Sequence, residues 1–308
     1  THARVRTNRD GLRDVERPHA KPPGVTRVLV VGDSMIEGLQ VDLPLTMPKQ
    51  LERRLEAALP GRRFDVINAG VSGSAGPQAL RYLEKDGLSL QPDLVVIAVT
   101  IRNDVYEAAE DQDRPLPRGY RFKTYLRSRF HLFSLLQHAL NANPWLRNAV
   151  AAVGLAAPTK PRPATEGETR INEEAYLYDE RPSGREERGY QRLFEAYDGI
   201  LARCSARDVP VLFVLIPTYF QATRYAAALG TLDLVRRIVR NDRAPQDRLL
   251  AFFRDRGVPA LDLLPALREN PEAYYLPVDQ HFNAAGNARA AEEVARAILD
   301  GKLLSRKP

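Results

Sequence analysis

Apolar residues along this chain come in short unbroken runs set between amphipathic stretches, instead of alternating with polar ones. The runs are VLVV at 28–31, FDVINAG at 64–70, DLVVIAV at 93–99, VPVLFVLIP at 209–217 and the shorter VPALDL at 258–263. Continuous apolar runs predict strands buried on both faces, the habit of a parallel sheet. Between them the apolar spacing predicts helices over 48–59, 77–88, 188–206, 246–256 and 284–299. Strand and helix therefore alternate, and an α/β fold with a doubly wound parallel sheet is expected. No internal repeat is present.

Two regions break the rhythm. Residues 1–26 are polar, charged and proline-containing (VERPHAKPPG), which predicts an arm lying on the domain that starts at Arg27 and runs to 308. Residues 106–184 hold an apolar helical stretch, YLRSRFHLFSLLQHAL, and then the aperiodic APTKPRPATEGETR. This insertion is too long for an ordinary connection. It leaves the end of the third strand, where open parallel sheets bind ligands, so a mainly helical lid or cleft wall is expected. A helical pair packed elsewhere is the plainer alternative. A second variable segment spans 219–243.

Composition narrows the function classes. With 308 residues, 44% of them hydrophobic, the chain is long enough for one large α/β core. The net charge of +6 is spread over scattered arginines such as Arg53-Arg54 and Arg236-Arg237, with no aromatic-basic motif, so nucleic acid is not an expected partner. Cys204 stands alone, which excludes a disulfide framework and a thiolate metal site and predicts a buried thiol. His2, His19, His131 and His138 form no ligand grouping with acids, so no metal and no cofactor are expected. No apolar run approaches the roughly 18 residues of a membrane span. The N-terminus lacks the apolar centre of a signal peptide, and the start at Thr1 instead of Met is read as the mark of trimming or processing. Oligomeric state is not legible.

The chemistry gathers where strands end. Ser34 follows the first strand in VVGDSMIEG, the loop NAGVSGSAG follows the second, TIRNDV follows the third, and VDQHFN follows the last strand and enters the last helix. In a parallel sheet these positions share one edge, so Ser34, Gly73, Asn103 and His281 are expected to converge. Taken singly, each has a plain reading: Ser34 as a helix cap, His281 as a satisfied polar residue near a helix start. Asp33 is expected to brace its loop, and Asp104 and Asn68 to be turn hydrogen-bonders. The glycines of GVSGSAG make neither Gly-x-Gly-x-x-Gly nor a Gly-Lys-Ser/Thr loop, which argues against a dinucleotide or phosphate site.

The four blocks together resemble the SGNH hydrolases, also called GDSL esterases and lipases, over 27–105 and the last thirty or so residues. The resemblance implies a flavodoxin-like, three-layer α/β/α fold and a bacterial-type serine hydrolase. It makes Ser34 the nucleophile, His281 the general base, and the Ser34 N–H, Gly73 and Asn103 the oxyanion hole. The residue types suit that chemistry, since a serine hydroxyl is a weak nucleophile until an imidazole takes its proton, and an imidazole ionises near about 6 to 7. Glycine allows close backbone approach to a ligand. Two departures from the family pattern stand out. The usual Asp-x-x-His spacing is missing, because Val278 lies three before His281 and the nearest acid is Asp279, two before. Asp279 completing a triad, and a Ser-His dyad oriented by a backbone carbonyl, both stay open. Ile101 and Arg102 replace the glycine-containing start of the third block; Arg102 is either a substrate contact or half of a surface ion pair.

Family members act on O-acetylated carbohydrates, short-chain esters, lipids and thioesters. The expectation for this chain is a serine esterase that cleaves an O-acetyl or other short acyl ester through an acyl-serine, on a small-molecule or carbohydrate substrate in a bacterial envelope. An O-acyltransferase acting on a polysaccharide and a catalytically silent carbohydrate-binding or assembly protein are the alternatives.

Overall fold

The computed structural model describes residues 3, 5–110, 177–178, 184–223, 241–276 and 279–304. The chain divides into two units, 1–110 with 172–308 and 111–171, and the described residues belong to the first. Most of the insertion expected at 106–184 thus lies outside the described residues, as do His2, His131 and His138.

Five parallel strands form the sheet: β1 Val25–Gly32, β2 Arg63–Gly70, β3 Leu94–Thr100, β4 Val211–Ile216 and β5 Ala260–Asp262, in the order β2-β1-β3-β4-β5. The helices are α1 Ser34–Glu37, α2 Met47–Ala58, α3 Gly76–Lys85, α4 Ile101–Ala109, α5 Gly184–Ser205, α6 Tyr219–Thr223, α7 Ala244–Asp255, α8 Leu264–Arg268, α9 Pro271–Tyr274 and α10 Ala284–Asp300. Helix α2 packs on α10, while α5 packs on α3 and α4. The sheet grows outward from β1 in both directions, so right-handed crossovers put these two sets on opposite faces. This is the three-layer α/β/α, flavodoxin-like arrangement expected.

The continuous apolar runs behave as their pattern requires. Val28, Leu29 and Val30 of β1 and every residue of β3 are buried. Helix α2 buries Met47, Leu51 and Leu55, one stripe at four-residue spacing, and α5 buries Tyr190, Leu193, Tyr197, Ile200 and Cys204 in the same manner. Each fully buried apolar side chain of this size contributes roughly 1.5–3 kcal/mol. Burial also pushes the Cys204 thiol up to about 11, as suits an inert core residue. Helix α4 carries the chain in helical form past the expected start of the insertion, to Ala109. Two short helices, α8 and α9, separate β5 from the VDQHFN block, which therefore does not follow its strand directly.

The arm is fixed by buried charge. Arg13 donates to the carbonyls of Glu37 (2.8 Å), Gly38 and Val41, closing the end of α1. The wholly buried Asp14 carboxylate faces Arg17 at 2.8 Å and Lys49 at 3.0 Å and accepts from the Asn68 N–H at 2.7 Å. Arg17 and Arg27 converge on Asp65 of β2. These ions are hydrogen-bonded as well as paired, as ions out of water must be.

Helix α1 rests directly on the end of β2. A Cβ on Gly70 would stand 2.2 Å from the Glu37 nitrogen and 2.6 Å from the Ile36 carbonyl carbon, both backbone atoms. Gly70→Ala is therefore expected to push α1 off the sheet, at a cost of about 3 kcal/mol. Urea unfolding checks this, and an unchanged midpoint would show that α1 is not seated there.

Candidate active site

Ser34 is the first residue of a one-turn helix. Asp33 caps it, accepting from the Met35 N–H at 2.9 Å. Gly38 ends it in the left-handed conformation, φ 66°, and returns its N–H to the Ser34 carbonyl. The serine side chain thus stands at the carboxyl end of β1, on the edge where ligands bind.

Asp33 reaches well beyond its cap. The same Oδ1 accepts from the Thr100 hydroxyl at the end of β3, and Oδ2 accepts from Asn103 Nδ2, each at 2.9 Å. Burial drives the Asp33 carboxyl above its usual range, and the three donors, Asn103 foremost, pull it back. Asn103 is held on its other side by Arg102, whose Nη1 donates to Asn103 Oδ1 at 3.4 Å. The oxygen and nitrogen of this amide are thereby assigned by its partners.

The block after β2 is fastened to α1 by Glu37, a residue that no sequence motif singled out. Glu37 Oε2 accepts from the Ser72 N–H at 2.9 Å and from the Ser72 hydroxyl. The Val71 N–H donates to the Gly32 carbonyl at 3.0 Å, and the Ser74 N–H donates to the Val71 carbonyl at 3.1 Å. Within that turn Gly73 has φ 75°, a conformation that glycine takes without a steric penalty. The available signal was that Glu37 lies one helical turn beyond Ser34.

His281 comes from the loop before α10. An isolated antiparallel bridge joins Tyr275 to Phe282, whose rings pack with centroids 5.0 Å apart, and the buried Tyr275 hydroxyl donates to the Pro217 carbonyl. The Leu276 N–H donates to the His281 carbonyl at 2.8 Å. Gln280 adopts φ 62°, and Asn283 caps α10 through the Gly286 N–H. So held, His281 Nε2 lies 2.8 Å from Ser34 Oγ across 247 residues of sequence.

His281 Nδ1 meets Asp279 twice, at 2.9 Å from its backbone carbonyl and 3.2 Å from carboxylate Oδ1. A carbonyl only accepts, so Nδ1 carries a hydrogen and Nε2 of the neutral ring is the acceptor for the serine hydroxyl. Both sources of orientation left open by the sequence sit on this one residue. The carboxylate is 46% exposed, so solvent screens its charge, and the nearer carbonyl provides the orientation that does not depend on charge.

The remaining candidates have other duties. Asn68 is buried beneath the site and accepts from the Gly70 N–H. Asp104 is buried in α4 and accepts from the Tyr197 hydroxyl at 3.5 Å. His19 faces Asp10 on the arm.

A family model described as the GDSL-like lipase/acylhydrolase family matches residues 30–289. No curated protein matches the sequence. Among solved structures, an acetyl xylan esterase is 16% identical with a TM-score of 0.49, the match covering 88% of this chain and 99% of that one. The lipase/acylhydrolase from Enterococcus faecalis is 16% identical, with a TM-score of 0.45 and coverage of 90% and 96%. A two-domain esterase active on acetylated mannans, co-crystallised with mannopentaose, is 16% identical at a TM-score of 0.48; 92% of this chain covers 51% of it, so the chain spans about half its length.

Burial, with Asp33 and Glu107 nearby, pushes the Asp104 carboxyl well above its usual range. A carboxyl raised in the folded state takes up a proton on folding, so its contribution falls as pH climbs from the unfolded value near about 4 through the folded one. Asp104→Asn removes that loss. Its melting temperature relative to the wild type is expected to rise from about pH 4 to about pH 8. A difference that stays constant with pH would overturn the assignment.

Proposed function

The chain belongs to the GDSL-like lipase/acylhydrolase family, a family of hydrolases, and from that premise we propose that it is a serine esterase acting through an acyl-serine at Ser34. The observation that carries this reading is the 2.8 Å contact between Ser34 Oγ and His281 Nε2. The proposed substrate is an O-acetyl or other short acyl ester, with a carbohydrate as its alcohol half.

The contacts of Ser34, His281, Asp279 and Asn103 support the following steps. Ser34 Oγ attacks the acyl carbon as His281 Nε2 takes its proton. The imidazolium is held at Nδ1 by Asp279, whose carbonyl fixes the ring and whose carboxylate favours the positive charge. The carbonyl oxygen becomes an oxyanion and accepts from the Ser34 N–H, the Gly73 N–H and Asn103 Nδ2. The Ser34 N–H suits this because the first N–H groups of a helix have no intrahelical acceptor. Asn103 Nδ2 has two hydrogens and Asp33 accepts one, which fixes the amide before substrate arrives. Collapse expels the alcohol, which takes the proton from Nε2. Water then attacks the acyl-serine with the same histidine as base.

Three predictions test the assignment. Ser34→Ala is expected to lower hydrolysis of p-nitrophenyl acetate at least about 10³-fold, and Asn103→Ala to lower kcat about 10²- to 10³-fold. Full activity in Ser34→Ala would end the serine mechanism. Because the backbone carbonyl survives the change, Asp279→Ala is expected to keep at least about 10²-fold more activity than His281→Ala, in contrast to a triad whose carboxylate alone sets the tautomer. Equal losses in the two variants would make the Asp279 carboxylate indispensable.

A further inference from the structure

Glu37 is tied down more fully than a one-turn helix requires. Its N–H donates to the Asp33 carbonyl at 3.0 Å, its carbonyl accepts from the buried Arg13 of the arm at 2.8 Å, and its nitrogen lies where a Cβ on Gly70 would strike it. Only the side chain leaves α1. Its Oε2 accepts from both the N–H and the hydroxyl of Ser72, in the block after β2.

Ser72 and Gly73 are the central pair of a β-turn closed by the Ser74 N–H on the Val71 carbonyl at 3.1 Å. Gly73 at φ 75°, behind a Ser72 of negative φ, makes this a type II turn. Types I and II differ by a flip of the peptide between the two central residues, and that peptide carries the Gly73 N–H. The two forms therefore aim this N–H to opposite sides of the turn. Glycine permits the observed aim without enforcing it, since it takes negative φ as readily. Two ties bracket Ser34 and hold the turn beside it: the Val71 N–H on the Gly32 carbonyl, two residues before the serine, and Ser72 on Glu37, three residues after it. The first is backbone that any sequence supplies. The second depends on the Glu37 side chain.

On the esterase reading above, we infer that Glu37 is a positioning residue for hydrolysis: by holding Ser72 against the helix that begins at Ser34, it keeps the Gly73 N–H aimed at the oxyanion before substrate binds. A donor fixed in advance costs no reorganisation at the moment of reaction, whereas a turn free to flip must be aimed again in each turnover. An interaction made with the oxyanion and not with the bound ester acts on kcat and leaves KM in place.

The experiment is a double-mutant cycle between Glu37 and Gly73 with p-nitrophenyl acetate as substrate. Glu37→Ala is expected to lower kcat about tenfold or more with KM held within about threefold, and Glu37→Gln, which keeps an oxygen for Ser72, to recover most of that loss. Gly73→Ala has room for its Cβ, whose nearest neighbour would be Glu107 Oε2 at 3.8 Å, so its cost lies in the positive φ alone. The donors at Ser34 and Asn103 remain, and the activity left to this variant is measurable. In that background the aim is already lost, and Glu37→Ala is expected to cost less than about twofold more. Ser72→Ala alters an exposed loop residue and removes only the hydroxyl contact, so it folds whether or not Glu37→Ala does; its kcat is expected to fall about threefold, again only where Gly73 is present. Equal factors in the two backgrounds, or a lower unfolding midpoint with kcat unchanged, would overturn the inference while an active wild type leaves the esterase standing. Wild-type protein that neither cleaves the ester nor is labelled at Ser34 by a fluorophosphonate would remove the esterase reading, and the inference with it.

Discussion

The edge of this sheet is organised by one buried carboxylate. Asp33 sits at the end of β1 and gathers the first N–H of α1 available to it, the hydroxyl at the end of β3 and the amide of Asn103. A carboxylate out of water is costly unless its oxygens are satisfied, and here every donor comes from a different segment. Satisfying Asp33 therefore fixes the helix that begins at Ser34 and the Asn103 amide relative to each other. Glu37, one turn further, does the same for the turn that bears Gly73. The two acids flank Ser34 and tie the ends of β1, β2 and β3 into one frame. His281 enters that frame from the far end of the chain, steadied by its own ring of contacts around Tyr275 and Phe282.

Much of this was legible in the sequence. Unbroken apolar runs signal two-sided burial, and two-sided burial in alternation with helices leaves few topologies besides a doubly wound parallel sheet. The positions of Ser34, Gly73, Asn103 and His281 at element ends were legible because each lies just beyond a strand or just before a helix, where local pattern reads well. Asp279 was half legible: the sequence offered its side chain or a backbone carbonyl, and only geometry reveals that one residue presents both to Nδ1.

The rest was hidden because it depends on contacts between distant residues that look plain one at a time. Nothing near Glu37 marks it as the acceptor for Ser72, 35 residues on. Arg13 and Asp14 look like ordinary charges in a polar arm, yet both are buried among partners that local periodicity cannot reach. The α8 and α9 turns between β5 and the histidine loop were missed because helices of one turn carry too little periodicity to detect.

That arm has a consequence for the order in which the molecule assembles. Asp14 is made before Lys49 and the Asn68 N–H that neutralise and bind it, and Arg17 and Arg27 share Asp65 only once β2 exists. Contacts so distant in sequence close slowly, since each requires a loop to form before it is rewarded. The arm is thus among the last segments of this domain to find its place, although it precedes its partners in the chain. The carbonyls at the end of α1 wait on Arg13 for the same reason, so the turn that carries Ser34 is completed by a segment that precedes it in the chain.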